Sequence, residues 1–173
     1  PPPGVEAYQD QTSNVTETQK GLGLVFENVL VGDTCMAVKK LPSIDRYSGY
    51  GALEMYVHGG NKANELPADS ILFFYRLGTD ERNFYEYRTM IRPGWDAGNH
   101  VKINFADLTG LKDGFQKALP KGATLSQVDS TVGNYRIKGN PNINQIQWMA
   151  AGILNKDSTE KANGEIWLDE LRV

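Results

Sequence analysis

One cysteine and two histidines among 173 residues leave this chain short of the groups that usually announce a chemistry. The single thiol, Cys35, cannot close an internal disulfide and has no companions for a metal site. A free cysteine is most often a small buried hydrophobe, and that is the expectation for Cys35. Basic residues are not in excess: the formal charge is −3 and the pI about 5.4. The basic face that nucleic-acid binders carry is therefore not expected. No apolar run approaches the roughly 20 residues of a membrane-spanning helix. His58 and His100 stand in strand-like contexts without evident partners. Gly-x-Ser-x-Gly, His-Glu-x-x-His and phosphate-cradling glycine loops are all missing. Acidic residues number 21, but spacing alone does not pick out a glycosidase pair, and charged side chains mostly cover solvated surface. The chain reads as a non-enzyme.

What is present is strand signal. Leu22, Leu24 and Phe26 alternate, as do Leu53, Met55 and Val57, and Val101, Ile103 and Phe105. Residues 71–77 are apolar on both faces, the mark of a central strand. Residues 84–91, 145–154 and 165–173 complete seven short runs rich in β-branched and aromatic residues. Turn clusters separate them, including Gly59-Gly60-Asn61, Gly78-Thr79-Asp80, Pro93-Gly94 and Gly139-Asn140-Pro141-Asn142. Asn163-Gly164 reads as a hairpin turn. One segment has another period: Leu108, Leu111, Phe115 and Leu119 recur every three or four residues, a short amphipathic helix near 106–119. The expected fold is all-β, an antiparallel two-sheet sandwich of jelly-roll type with one short helix. Residues 1–18 read as an arm or linker and 19–173 as one domain. The start at Pro1-Pro2-Pro3-Gly4 and the stop at Val173 suggest a fragment of a larger protein.

Two groups of residues are candidates for binding. Tyr56, Tyr85, Tyr87 and Trp95, beside Arg76, Arg88 and Glu86, would form an aromatic platform with charged edges. Rings stack on the apolar faces of sugars, so a polysaccharide is the ligand such a platform suits; core packing is the alternative. The last strand raises a second question. Strict alternation puts Asp169 on one face with Trp167, Leu171 and Val173, and a carboxylate on an apolar face needs a partner. A salt bridge, a bulge at Asp169-Glu170, or a structural calcium would each answer it. For calcium, Glu27 or Asn28, Asp33 and Asp169 are the candidate ligands. The last strand also looks like that of jelly-roll carbohydrate-binding modules, which often hold calcium with an Asp there.

Four blocks carry a family resemblance. They are Tyr50-Gly51-Ala52-Leu53-Glu54-Met55-Tyr56-Val57-His58; Arg76-Leu77-Gly78-Thr79-Asp80 with Asn83-Phe84-Tyr85-Glu86-Tyr87; Lys138-Gly139-Asn140-Pro141-Asn142; and Gly164-Glu165-Ile166-Trp167-Leu168-Asp169-Glu170-Leu171-Arg172. In this order they resemble the repeated extracellular domain of the SprA/Sov family, the outer-membrane translocon of type IX secretion and gliding. Asp169 stands where that family usually has Asn. The resemblance implies a non-catalytic domain of a large envelope protein, on the periplasmic or cell-surface side of the outer membrane. It implies as partners other domains of the parent protein or secretion-system proteins. The alternative reading is a carbohydrate-binding module of a secreted polysaccharide-degrading protein.

Overall fold

Alternation decides which side of each strand turns inward. In the strand Ala52–His58, Leu53, Met55 and Val57 are buried while Glu54 and Tyr56 stay partly exposed on the other side. The computed structural model describes residues 2, 21–60 and 70–173, and the same rule builds two sheets there. In chain order the elements are β1 (Leu22–Val29), β2 (Thr34–Asp45), β3 (Ala52–His58), β4 (Ile71–Asp80), β5 (Asn83–Met90), β6 (His100–Asn104), α1 (Phe105–Ala118), β7 (Asp129–Val132), β8 (Tyr135–Lys138), β9 (Ile146–Asn155) and β10 (Ala162–Arg172). A four-stranded sheet has the order β1-β10-β3-β6 and a six-stranded sheet the order β2-β9-β4-β5-β8-β7. Every neighbouring pair is antiparallel. This is the expected all-β sandwich.

The core lies between the sheets. Met55, Val57, Val101, Ile103 and Ile166 from the small sheet meet Phe73, Leu77, Tyr85, Ile137 and Ile153 from the large one. Each such side chain contributes about 1.5–3 kcal/mol by leaving water. β4 is central, flanked by β9 and β5, which is why it is apolar on both faces.

The helix appears as expected and has a structural task. Phe105 and Leu108 are buried, and Leu111 and Phe115 pack against the core beside them. α1 lies against β6 of the small sheet and β8 of the large one, so it covers one side of the sandwich. Lys112 Nζ donates to the Pro141 carbonyl at 2.7 Å and ties the helix to the loop before β9. Gly110 and Gly114 face open space.

Other expectations are corrected. The turn before β10 is not Asn163-Gly164, which lie inside that strand. The connection is 156–161, stabilised by Asp157, whose Oδ1 accepts from Thr159 N at 2.8 Å and Glu160 N at 3.0 Å. Asn163 instead uses its Oδ1 to accept from Asn28 N on β1. Gly78-Thr79-Asp80 closes β4, and the turn falls at Glu81-Arg82, held by Asp80 Oδ1 accepting from Arg82 N and Asn83 N. Cys35 is half-buried rather than buried. The expected arm, 1–18, lies outside the described residues apart from residue 2.

Asp169 begins a bulge. The register between β10 and β3 shifts between Asp169 and Arg172, and Glu170 sits at φ 55°. Asp169 Oδ1 accepts from Glu170 N at 2.9 Å. Ile166 and Leu168 point inward as a bulge requires, but Leu171 and Val173 are exposed. β1 begins opposite Leu168, so only β3 pairs with the strand beyond that point.

Candidate functional site

The residues expected to form one platform are divided among three places. Tyr85 is buried in the core, where its hydroxyl donates to the Pro141 carbonyl at 3.2 Å and burial pushes its pKa up. It cannot meet a ligand. Tyr87 also turns inward, edge-on to Tyr135 at 5.3 Å. The cause is alternation along β5: Phe84, Glu86 and Arg88 take the outer side, so Tyr85 and Tyr87 take the inner one.

Tyr56 and Trp95 belong to the outer face of the four-stranded sheet. β3 and β10 pair with Trp167 opposite His58 and Asp169 opposite Tyr56, and β6 sets His100 opposite Tyr56. Two rows of rings result. In one, His58 stacks on Trp167 at 4.3 Å and 13°, with Trp95 edge-on at 4.8 Å and 72°. In the other, Tyr56 stacks on His100 at 4.4 Å and 12°. Gly23 stands opposite Trp167 on β1 and leaves room beside its ring. Trp95, Trp167 and Tyr56 are partly exposed and His100 is exposed. His58 is buried, and its Nδ1 has no hydrogen-bond partner. Burial lowers its pKa, keeping the ring neutral. At the margin, Glu54 pairs with Lys102 at 2.6 Å and lies 3.6 Å from His100. The lysine's hydrogen bond holds the Glu54 carboxyl below the usual range.

Arg76 and Arg88 belong to the opposite side of the molecule, the outer face of the six-stranded sheet. One cross-strand row there runs Val38, Ala150, Arg76, Glu86, Arg136, Thr131 from β2 to β7. Glu86 is fully buried. It accepts from Arg76 Nε at 2.6 Å, from Arg88 Nε at 2.7 Å and from Arg88 Nη2, with Arg136 Nη1 at 3.5 Å. Arg136 also clamps Asp129 through Nε and Nη2, at 2.7 and 2.8 Å. That contact holds the Asp129 carboxyl below the usual range. Beneath the charges lie rings: the Arg76 guanidinium is 4.2 Å from the Phe74 centroid and 4.8 Å from that of Phe84. Phe84 and Trp148 in turn flank Gly78 in the next row. A Cβ on Gly78 would come within 2.1 Å of the Asn83 carbonyl oxygen, so no larger residue fits.

The proposed calcium ligands are not brought together. Glu27 lies near the end of β1, beside Asn28, which bonds Asn163, whereas Asp169 is six residues further along β10, about 20 Å at strand rise. Asp33 lies in the turn after β1, its backbone bonded to Leu30 and Asn155. Among the described residues no three His, Cys, Asp or Glu side chains converge on a cation position.

The four family-like blocks, by contrast, meet in pairs. The first and fourth are β3 and β10, joined through the His58–Trp167 stack. The second and third meet at the end of the large sheet, where Asn140 N donates to Asn83 Oδ1 at 2.9 Å. Gly139, at φ 66°, passes so close to Arg82 that a Cβ would lie 2.4 Å from its carbonyl oxygen. His58, His100, Trp167 and Arg136 are the site residues that sequence reasoning missed; each becomes visible only once strand register is known. No protein-family model matches the chain, and no curated protein is significantly similar to it.

Proposed function

We propose that this chain is a non-catalytic β-sandwich domain of a large SprA-like cell-envelope protein. It acts in secretion, gliding or surface adhesion by protein or glycan interaction, on the periplasmic or cell-surface side of the outer membrane. Its partners are other domains of the parent protein or secretion-system proteins. The observation that supports this reading is the pairwise meeting of the four blocks. Residues far apart in sequence serve one stack, His58 on Trp167, and one turn lock, Asn83 on Asn140. Such a set is what a shared fold would retain. Glu86 is committed to holding arginines, which removes a fully buried carboxylate as a general acid. Fractionation of the native cells tests the location. An antibody to the domain should detect it with the outer membrane; recovery in the cytoplasmic fraction would sink the proposal.

The aromatic rows favour one second reading, a carbohydrate-binding module. Tyr56, Trp95 and Trp167 supply partly exposed rings on one face, stacked on or edge-on to His100 and His58. Affinity electrophoresis through neutral polysaccharides should then show retardation that Trp167→Ala abolishes. Equal mobility in every gel would remove this reading.

A further inference from the structure

We infer that the outer face of the six-stranded sheet is a separate binding site for an acidic polysaccharide, held by Arg76, Arg88, Arg136 and Lys138. This site lies on the side of the sandwich opposite the aromatic rows and does not depend on the reading drawn from them.

Charge is the first argument. Those four cations stand against two carboxylates, Glu86 and Asp129, so the patch is positive by two on a chain whose formal charge is −3. One buried carboxylate needs one cation to offset its desolvation; Glu86 has three arginines around it. The surplus guanidinia repel one another, and an anion above them relieves that repulsion.

Preorganisation is the second. Arg76 and Arg88 each spend Nε on the fully buried Glu86, and Arg136 is held by Asp129. The forks are thereby fixed before any ligand arrives, which lowers the entropy lost on binding. Arg76 Nη1 meets only a thioether here, Met36 Sδ at 3.5 Å, a weak acceptor that a carboxylate or sulfate oxygen would outcompete. The arginine side chains keep 12–24% of their surface exposed, enough to be reached.

Geometry selects the class of ligand. Arg76 and Arg136 lie in one row with β5 between them, and their guanidinia converge on the same Glu86 oxygen, from 2.6 and 3.5 Å. Lys138 is in the adjacent row, over the Phe84 ring at 5.9 Å. Arg76, Arg136 and Lys138 thus cluster around the Phe84 ring, at 4.8, 5.5 and 5.9 Å from its centroid, and suit a sugar polymer that brings anionic groups to one cluster.

Affinity electrophoresis and calorimetry of the whole chain test this with four probes: polygalacturonate, dextran sulfate, neutral dextran and polyglutamate. The expected result is retardation by polygalacturonate or dextran sulfate, weakening as salt rises, and none by neutral dextran. The two retarding probes separate carboxylate from sulfate as the recognised group. Arg136→Gln should weaken binding by about tenfold or more, the worth of one charge-assisted contact. Lys138→Gln, which leaves the Glu86 cluster whole, should weaken it several-fold with an unchanged thermal melt. Trp167→Ala should have no effect on acidic probes, which separates this site from the aromatic face. Absence of binding to both acidic polysaccharides at low salt would overturn the inference. So would unaltered affinity in Lys138→Gln, or tighter binding of polyglutamate, which would point to an acidic peptide.

Discussion

Replacing Glu86 by Gln keeps the shape of a fully buried side chain and removes its charge. The carboxylate takes short charge-assisted bonds from Arg76 Nε at 2.6 Å and from Arg88 through Nε at 2.7 Å and Nη2. An amide can still accept from one arginine through its oxygen, but turns N–H toward the other. The bonds to one arginine are then lost, about 2 kcal/mol, and those to the other weaken by about 1 kcal/mol because only the donor stays charged. The arginines keep some contact with solvent and can partly turn toward water, which recovers about 1 kcal/mol. The net expectation is about 2 kcal/mol of destabilisation, or a fall in Tm of roughly 4–8 °C for a domain of this size. Urea unfolding followed by tryptophan fluorescence measures it, and a double-mutant cycle with Arg76→Met isolates the pair. The cycle should return a coupling of about 1–2 kcal/mol, because removing Arg76 as well relieves the unpaired guanidinium. A loss under about 0.5 kcal/mol for Glu86→Gln, or strict additivity in the cycle, would refute the reasoning that the cluster is a coupled buried network.

Other outcomes follow from the same structure. Asp169→Asn should change stability by less than about 0.5 kcal/mol, since the amide oxygen can accept the same bond from Glu170 N, while Asp169→Ala should cost about 1 kcal/mol. A chelator should leave the melting midpoint of the wild type unchanged if that bond is the role of Asp169; a fall would restore a calcium site. His58, its pKa lowered by burial, binds fewer protons folded than unfolded below its ordinary value of 6.5. Stability should therefore be full above pH 6.5 and decline as pH falls below it, and His58→Phe should flatten that limb in pH-dependent melts. Gly78→Ala should destabilise by more than about 2 kcal/mol in the same urea assay, because its methyl group would strike the Asn83 backbone.

Much of the architecture is legible in the residues because two-residue alternation and apolar content are local properties. β4 announces itself as central by being apolar on both faces, and α1 by its change of period. β2 escapes notice because Lys39, Lys40 and Pro42 dilute its signal, as an edge strand's residues do. β7 and β8 are too short, at four residues each, to show a period. The sites were harder. Tyr85 and Arg76 look like neighbours on one platform until the pleat sends them to opposite sides of the sheet. Trp167 and His58 lie far apart in sequence, and only the β3–β10 register stacks them. Asp169 was recognisable as an anomaly because a carboxylate interrupts an apolar strand. Its answer, a bulge closed by its own side chain, depends on the left-handed backbone at Glu170, which composition does not reveal.

The complete reading frame that encodes this chain tests the central proposal most directly. The account predicts a protein of very large size in which the four blocks recur in the same order, accompanied by alternating-apolar segments long enough to form an outer-membrane barrel. A frame that joins this domain to a polysaccharide-degrading catalytic unit, with no barrel pattern and no second copy of the blocks, would contradict it.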